Sequence, residues 1–162
     1  MVTRRAGLGA AATLGSLALL GCFDKITAPT CLAQSFTVTD TLSDTLVTSR
    51  GLQYIEVTAG TGAPLPWCTQ VTVDYDAYLL DSTKFDSSRD RGVPLHFVPG
   101  VGDLIDGFEQ GVIGMQATGK RRLIIPPTLG YGSQPVRDQN GTIIVPANST
   151  LVFDIEVIAI GQ

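Results

Sequence analysis

The 162-residue chain is poor in the residues that bind metals and nucleic acids. It has one histidine, His96, one tryptophan, Trp67, and three cysteines, Cys22, Cys31 and Cys68. There is no C-x-x-C pair and no His/Cys cluster, so neither a metal site nor a cofactor is expected. Only 16% of residues are charged, with 11 Lys and Arg against 15 Asp and Glu, a net charge of −4. That balance leaves no basic footprint for nucleic acid. The one dense basic run, Lys120-Arg121-Arg122, opens an apolar stretch and is expected to be a solvated strand end. His96 lies on a short strand and is expected to be structural or exposed. Neither a G-x-S-x-G elbow nor a glycine-rich phosphate loop occurs, and there are no internal repeats. The apolar run from Ala6 to Leu20 is short for a membrane span.

That run follows Arg4-Arg5 and precedes Leu19-Leu20-Gly21-Cys22, an arrangement that resembles a bacterial lipoprotein signal. The resemblance implies that residues 1–21 are removed and that Cys22 carries lipid. The chain would then be held at the cell envelope, facing the periplasm, with the outer membrane favoured over the inner. A chain beginning at Cys22 keeps 9 basic against 15 acidic residues. Residues 22–50, rich in Thr, Ser, Asp and Ala, read as a tether with short edge strands at Ser35–Thr39 and Leu46–Val47. In an oxidising compartment Cys31 and Cys68 form an even pair for which a disulfide is the default. Two free buried thiols are the alternative.

A folded domain is expected over residues 51–162. Its one helix is predicted within Gly100–Met115, where Leu104, Phe108 and Val112 recur at i, i+4 and i+8 beside Ile105. Gly107 and Gly111 interrupt that run, and each costs about 1 kcal/mol of helix propensity relative to Ala. Such a helix must be held by burial on something larger, and its glycines permit a close approach. Strands are predicted at Leu52–Val57, Gln70–Leu80, Pro94–Val98, Gly119–Pro126 and Thr150–Ile160. Two of them alternate cleanly: Val71, Val73, Tyr75, Ala77 and Leu79 share one face, as do Leu151, Phe153, Ile155, Val157 and Ala159. Residues Asp81–Arg91 read as a polar turn. Asn140-Gly141, between Val136 and Ile143–Val145, predicts a tight turn closing a two-stranded flap over the mouth of any site beside Tyr131. A tolerated surface insertion is the alternative. Antiparallel strands crossed by one helix make an α+β domain.

The string Phe85-Asp86-Ser87-Ser88-Arg89-Asp90-Arg91, the helix with Ile105 and Phe108, Pro126-Pro127 ahead of Tyr131-Gly132, and Thr150-Leu151-Val152-Phe153-Asp154 occur in this order. Together they resemble the FKBP-type peptidyl-prolyl cis–trans isomerases, over residues 51–160. The resemblance implies a twisted antiparallel β-sheet wrapped around one short α-helix, with an apolar hollow between them. It implies a catalytic set of Tyr75, Phe85, Asp86, Ile105, Tyr131 and Phe153. Leu95, Leu104, Phe108, Val145 and Arg91 would complete the substrate-binding surface, with Phe108 as floor and Arg91 paired to Asp86. Many members have Trp where Phe108 stands, and several have Phe where Leu95 stands. The loop from Tyr131 to Ile144 is longer than the family's compact form. The implied partners are proline-containing polypeptides and, as inhibitors, rapamycin-type macrolides, with the protein expected as a monomer. The rival is a non-catalytic holdase module that keeps the fold and uses the hollow to grip peptides.

Overall fold

The computed structural model describes residues 30–34, 38–42 and 45–161. Residues 1–29, including Cys22 and the signal-like segment, lie outside the described residues, as do 35–37 of the first expected edge strand.

Ten strands are seen among the described residues: β1 Val38–Leu42, β2 Thr45–Thr48, β3 Gln53–Thr58, β4 Val71–Leu79, β5 Lys84–Ser87, β6 Leu95–Phe97, β7 Lys120–Ile125, β8 Val136–Arg137, β9 Ile143–Val145 and β10 Leu151–Ile160. Eight form one antiparallel sheet in the order β1-β2-β3-β7-β10-β4-β5, with β6 also paired to β4. β8 and β9 pair separately. The long strands β4 and β10 run side by side from Leu151 opposite Leu79 to Ile160 opposite Val71. Their alternation sends Val73, Tyr75, Ala77, Leu151, Phe153 and Ile155 into one core. The other face carries Arg89 between Asp76 and Glu156, and Arg122 on Asp154. One dry face and one wet face are what an antiparallel sheet permits.

The helix that crosses the dry face, α2, is shorter than its sequence stretch: Asp106–Val112, seven residues. The preceding glycines break it, since Gly100 and Gly102 adopt φ of 100° and 80°, which only glycine takes without strain. Leu104 and Ile105 therefore sit in a loop, with Ile105 at the N-cap. Gly107 and Gly111 lie against β7, and a Cβ on them would collide with Ile125 and Leu123 respectively. The close approach is thus onto strand side chains. Phe108 and Val112 point into the core, where burying such a side chain contributes roughly 1.5–3 kcal/mol.

Two expectations are corrected. Residues Phe85–Arg91 are not simply a turn: β5 ends at Ser87, and one helical turn, α1 Ser88–Arg91, follows. The Ser87 side chain caps it, accepting from the Asp90 N–H, and Gly92 closes it in the left-handed region. The run Lys120-Arg121-Arg122 is not uniformly solvated. Period two puts Arg121 on the same face as Leu123 and Ile125, and it is only 5% exposed. Its guanidinium donates to the carbonyls of Gly111 (2.5 Å) and Ile113 (3.0 Å) at the end of α2 and pairs with Glu56. A cation at a helix C-terminus satisfies carbonyls that have no partner within the helix.

The start of the described chain is strapped to the domain. Cys31 and Cys68 form a disulfide with Cα atoms 5.6 Å apart. Leu32 N–H donates to the Gly100 carbonyl at 2.9 Å, and Cys68 N–H to that of Pro99 at 3.0 Å.

Candidate active site

Between α2 and the dry face of the sheet lies a hollow of about 230 Å³. Tyr75, Phe85, Asp86, Leu95, Asp103, Leu104, Ile105, Phe108, Tyr131 and Phe153 line it. Phe153 on β10 is the hub of its aromatic wall. Phe153 stands edge-on to Phe108 (centroids 5.2 Å apart, planes at 79°) and to Phe85 (6.0 Å, 89°), with Tyr75 tilted 6.0 Å away. Edge-to-face contacts of this kind fix ring orientation as well as filling space. Phe97, buried behind Phe108 at 5.6 Å, supports that floor.

The polar corner is built by β5, α1 and β4. The Tyr75 hydroxyl donates to Asp86 Oδ2 at 2.5 Å, and the Ser87 N–H donates to Asp86 Oδ1 at 2.8 Å. Arg91 pairs with the same carboxylate and donates to the Tyr75 oxygen at 2.9 Å. The string around Asp86 is held from behind. Ser88 Oγ accepts from the Tyr75 N–H (2.9 Å) and donates to Asp74 (2.7 Å), while Ser87 Oγ donates to Asp76 at 2.6 Å. Burial, then the hydrogen bond to Asp86, pushes the Tyr75 hydroxyl above its ordinary pKa. Burial, then the Asp86 charge, does the same to Tyr131. Both phenols stay protonated at neutral pH; the Tyr75 proton is held by Asp86, which leaves the Tyr131 hydroxyl as the free phenolic donor.

The third wall is the loop before α2. Glu109, 3% exposed, accepts from the Gly100 N–H at 2.8 Å and the Leu104 N–H at 3.1 Å. This buried carboxylate fixes the loop that carries Asp103, Leu104 and Ile105. Among the described residues no acceptor is paired with the Ile105 N–H, as expected for the first N–H groups of a helix.

Of the residues singled out from the sequence, Tyr75, Phe85, Asp86, Leu95, Leu104, Ile105, Phe108, Tyr131 and Phe153 meet at the hollow. Arg91 stands behind it, on Asp86 and Tyr75. Val145 does not line it: it is 1% exposed, on β9 opposite Val136. The expected hairpin forms, its turn held by Asp138 Oδ1 accepting from the Asn140 and Thr142 N–H groups, but none of its residues is among the lining ones. Asp103, Phe97 and Glu109 were not singled out. Glu109 shares its short helix with Asp106 and Gln110, so nothing in the sequence marked it as the buried acid. A lone Asp in a glycine-rich loop had no signal either.

An antiparallel sheet wrapped on a short helix, with an aromatic hollow between them, defines the class to which the comparisons with known proteins point. The model of the family described as FKBP-type peptidyl-prolyl cis-trans isomerase matches residues 68–158. The chain belongs to this family. It is 50% identical over 91 residues to FK506-binding protein 2 of Dictyostelium discoideum, covering 56% of this chain and 65% of that one. It is 40% identical over 111 residues to the peptidyl-prolyl cis-trans isomerase Fkbp12 of Drosophila melanogaster, covering 68% and 98%. Among solved structures, FkpA from Escherichia coli superposes with a TM-score of 0.64 at 35% identity, over 75% of this chain and 54% of that one. The chain thus spans less than two thirds of the Dictyostelium protein and about half of the FkpA chain.

Proposed function

We propose that the chain is a peptidyl-prolyl cis–trans isomerase, with residues 51–162 as its catalytic domain and residues 22–50 as its link to the envelope. The observation that carries this reading is the aromatic hollow, with two donors beside it that are unpaired among the described residues: the Ile105 N–H and the Tyr131 hydroxyl. Turning an X–Pro bond breaks no covalent bond and moves no proton. The obstacle is partial double-bond character, a barrier of about 18–20 kcal/mol for a peptide bond. Uncatalysed X–Pro bonds turn over in roughly 10–100 s.

In the twisted amide resonance is lost, so the carbonyl oxygen carries less charge. An apolar hollow solvates the planar, charge-separated amide poorly and penalises the twisted form less, which is differential binding of the transition state. Phe85, Phe108, Tyr75 and Phe153 box the proline ring over Leu95 and Leu104. The Ile105 N–H holds a substrate carbonyl, and the Tyr131 hydroxyl is a second donor. Asp86 serves as a positioned acceptor, with Arg91 and Tyr75 holding it.

Residues 1–21 act as a lipoprotein signal and Cys22 carries the lipid, which sets the domain to work on proline-containing polypeptides outside the cytoplasm. The disulfide supports an oxidising compartment. Rapamycin-type macrolides fill the same hollow as inhibitors.

A protease-coupled assay on a short X–Pro peptide tests the activity. The chain is expected to accelerate isomerisation and to be inhibited by such a macrolide. Phe85→Ala removes a wall of the box and should reduce kcat/KM by ten-fold or more, with Asp86→Asn costing less. No acceleration would leave the holdase reading in its place, and activity unchanged by both Phe85→Ala and Tyr131→Phe would move the site elsewhere.

A further inference from the structure

The hollow is lined by two carboxylates and no basic side chain. They are in different states. Asp86 is compensated by Arg91, by the Tyr75 hydroxyl and by the Ser87 N–H. Asp103 has no such partner. It is exposed, on the loop that Glu109 fixes at Gly100 and Leu104 on either side, and it makes neither an ion pair nor a hydrogen bond.

Among the described side chains Asp103 is alone in this. Every other acidic side chain described is engaged: Glu56, Asp76, Asp90, Asp106, Asp154 and Glu156 with cations, and Asp74, Asp81 and Asp138 with hydroxyl or backbone donors. Cations elsewhere are committed as well. Arg50 is paired with Asp106, and Lys84 with Asp90. Arg137 of the β8–β9 hairpin donates to the Gly141 carbonyl and lines no part of the hollow. In a fold that satisfies its acids this thoroughly, the one left open faces the site.

We propose that Asp103 sets the substrate preference of this hollow, selecting proline segments that carry a lysine or arginine within two residues of the proline. The inference rests on the isomerase reading above and adds a substrate class to it. With the proline ring held by Phe85, Phe108 and Phe153, the neighbouring residues of an extended segment lie over the rim that Asp103 helps to form. A flanking cation meets an uncompensated charge there, and a flanking glutamate meets repulsion. The field is that of an exposed group, so the discrimination is modest and sensitive to salt.

The test is a protease-free isomerisation assay with peptides that differ only in the residue before or after proline, set in turn to Lys, Leu and Glu. The full chain is compared with Asp103→Asn and Asp103→Lys. At low ionic strength the Lys peptide is expected to exceed the Glu peptide in kcat/KM by about five-fold, the range open to one exposed charge pair counted as attraction in one peptide and repulsion in the other. That ratio should fall toward one in Asp103→Asn and at high salt. It should invert in Asp103→Lys. Turnover of the Leu peptide with equal rates for Lys and Glu would overturn the proposal while leaving the isomerase reading intact, as would a Lys preference that survives Asp103→Asn. Turnover of none of the peptides would overturn both.

Discussion

Residue by residue, the hollow depends on groups that are far less conspicuous than its aromatic rings. Asp86 can point where it does because Ser87 and Ser88 tie β5 to Asp76 and Asp74 on β4. Burial pulls the Asp76 carboxyl upward, but the Ser87 hydroxyl, the Arg89 hydrogen bond and the Arg89 charge together hold it below its ordinary value of 3.8. A carboxylate lowered in the folded state adds stability above its unfolded pKa, and that contribution is lost as pH falls through the folded pKa. Asp76→Asn is therefore expected to cost about 1.5–3 kcal/mol at pH 7, the range for hydrogen bonds to a charged group. The deficit should shrink as pH falls below 3.8. Thermal melts of both forms at pH 7 and pH 3 check this, and an equal deficit at both would assign the loss to shape rather than charge. The aromatic wall and Asp86 were legible because their residue types stand in one string and recur at fixed places in a known family. Glu109 and Asp103 were not, since what they do depends on a loop conformation that only the folded chain reveals.

At the level of elements, the hollow depends on α2 and its seat on β7. The sequence pattern located the helix and gave the reason for its glycines. It overstated the helix, because Leu104 and Ile105 continue the apolar period while Gly100 and Gly102 bend the backbone out of it. Periodicity records which face is buried, not whether the backbone there is helical. Strand alternation was more faithful, since β4 and β10 follow it nearly throughout. The same period also places Arg121 inside, a conclusion masked by its two solvated neighbours. Gly111→Ala separates propensity from packing. Propensity alone would stabilise the helix by about 1 kcal/mol. The added methyl collides with Leu123 in the core, and overpacking of this kind costs roughly 1–3 kcal/mol. Net destabilisation in denaturant unfolding is the expected outcome, and a gain in stability would mean that α2 sits more loosely on β7.

For the whole molecule, the disulfide joins Cys31, near the start of the described residues, to Cys68 beside the loop that enters the site. A Cβ on Gly100 would collide with the Cys31 sulfur and the Leu32 carbonyl and crowd Trp67, so the strap lies close over that loop's first residues. The bridge closes a separation of 37 residues, which the chain-entropy model values at about 4 kcal/mol. Cys31→Ser with Cys68→Ser should lower stability by up to that amount in unfolding experiments, and no change would show that the backbone bonds from Leu32 and Cys68 suffice alone. The pairing was expected from the parity of the cysteines in a chain read as exported, but its place against Gly100 was beyond the sequence. If the proposed function holds, proline turns over inside the aromatic hollow. Exchange NMR on a short X–Pro peptide with resolved cis and trans signals tests it most directly. Catalytic amounts of the chain should give exchange cross-peaks between the two isomers, and Phe85→Ala at the same concentration should abolish most of them. Cross-peaks of equal intensity with the folded Phe85→Ala protein, or none with the native chain, would contradict it.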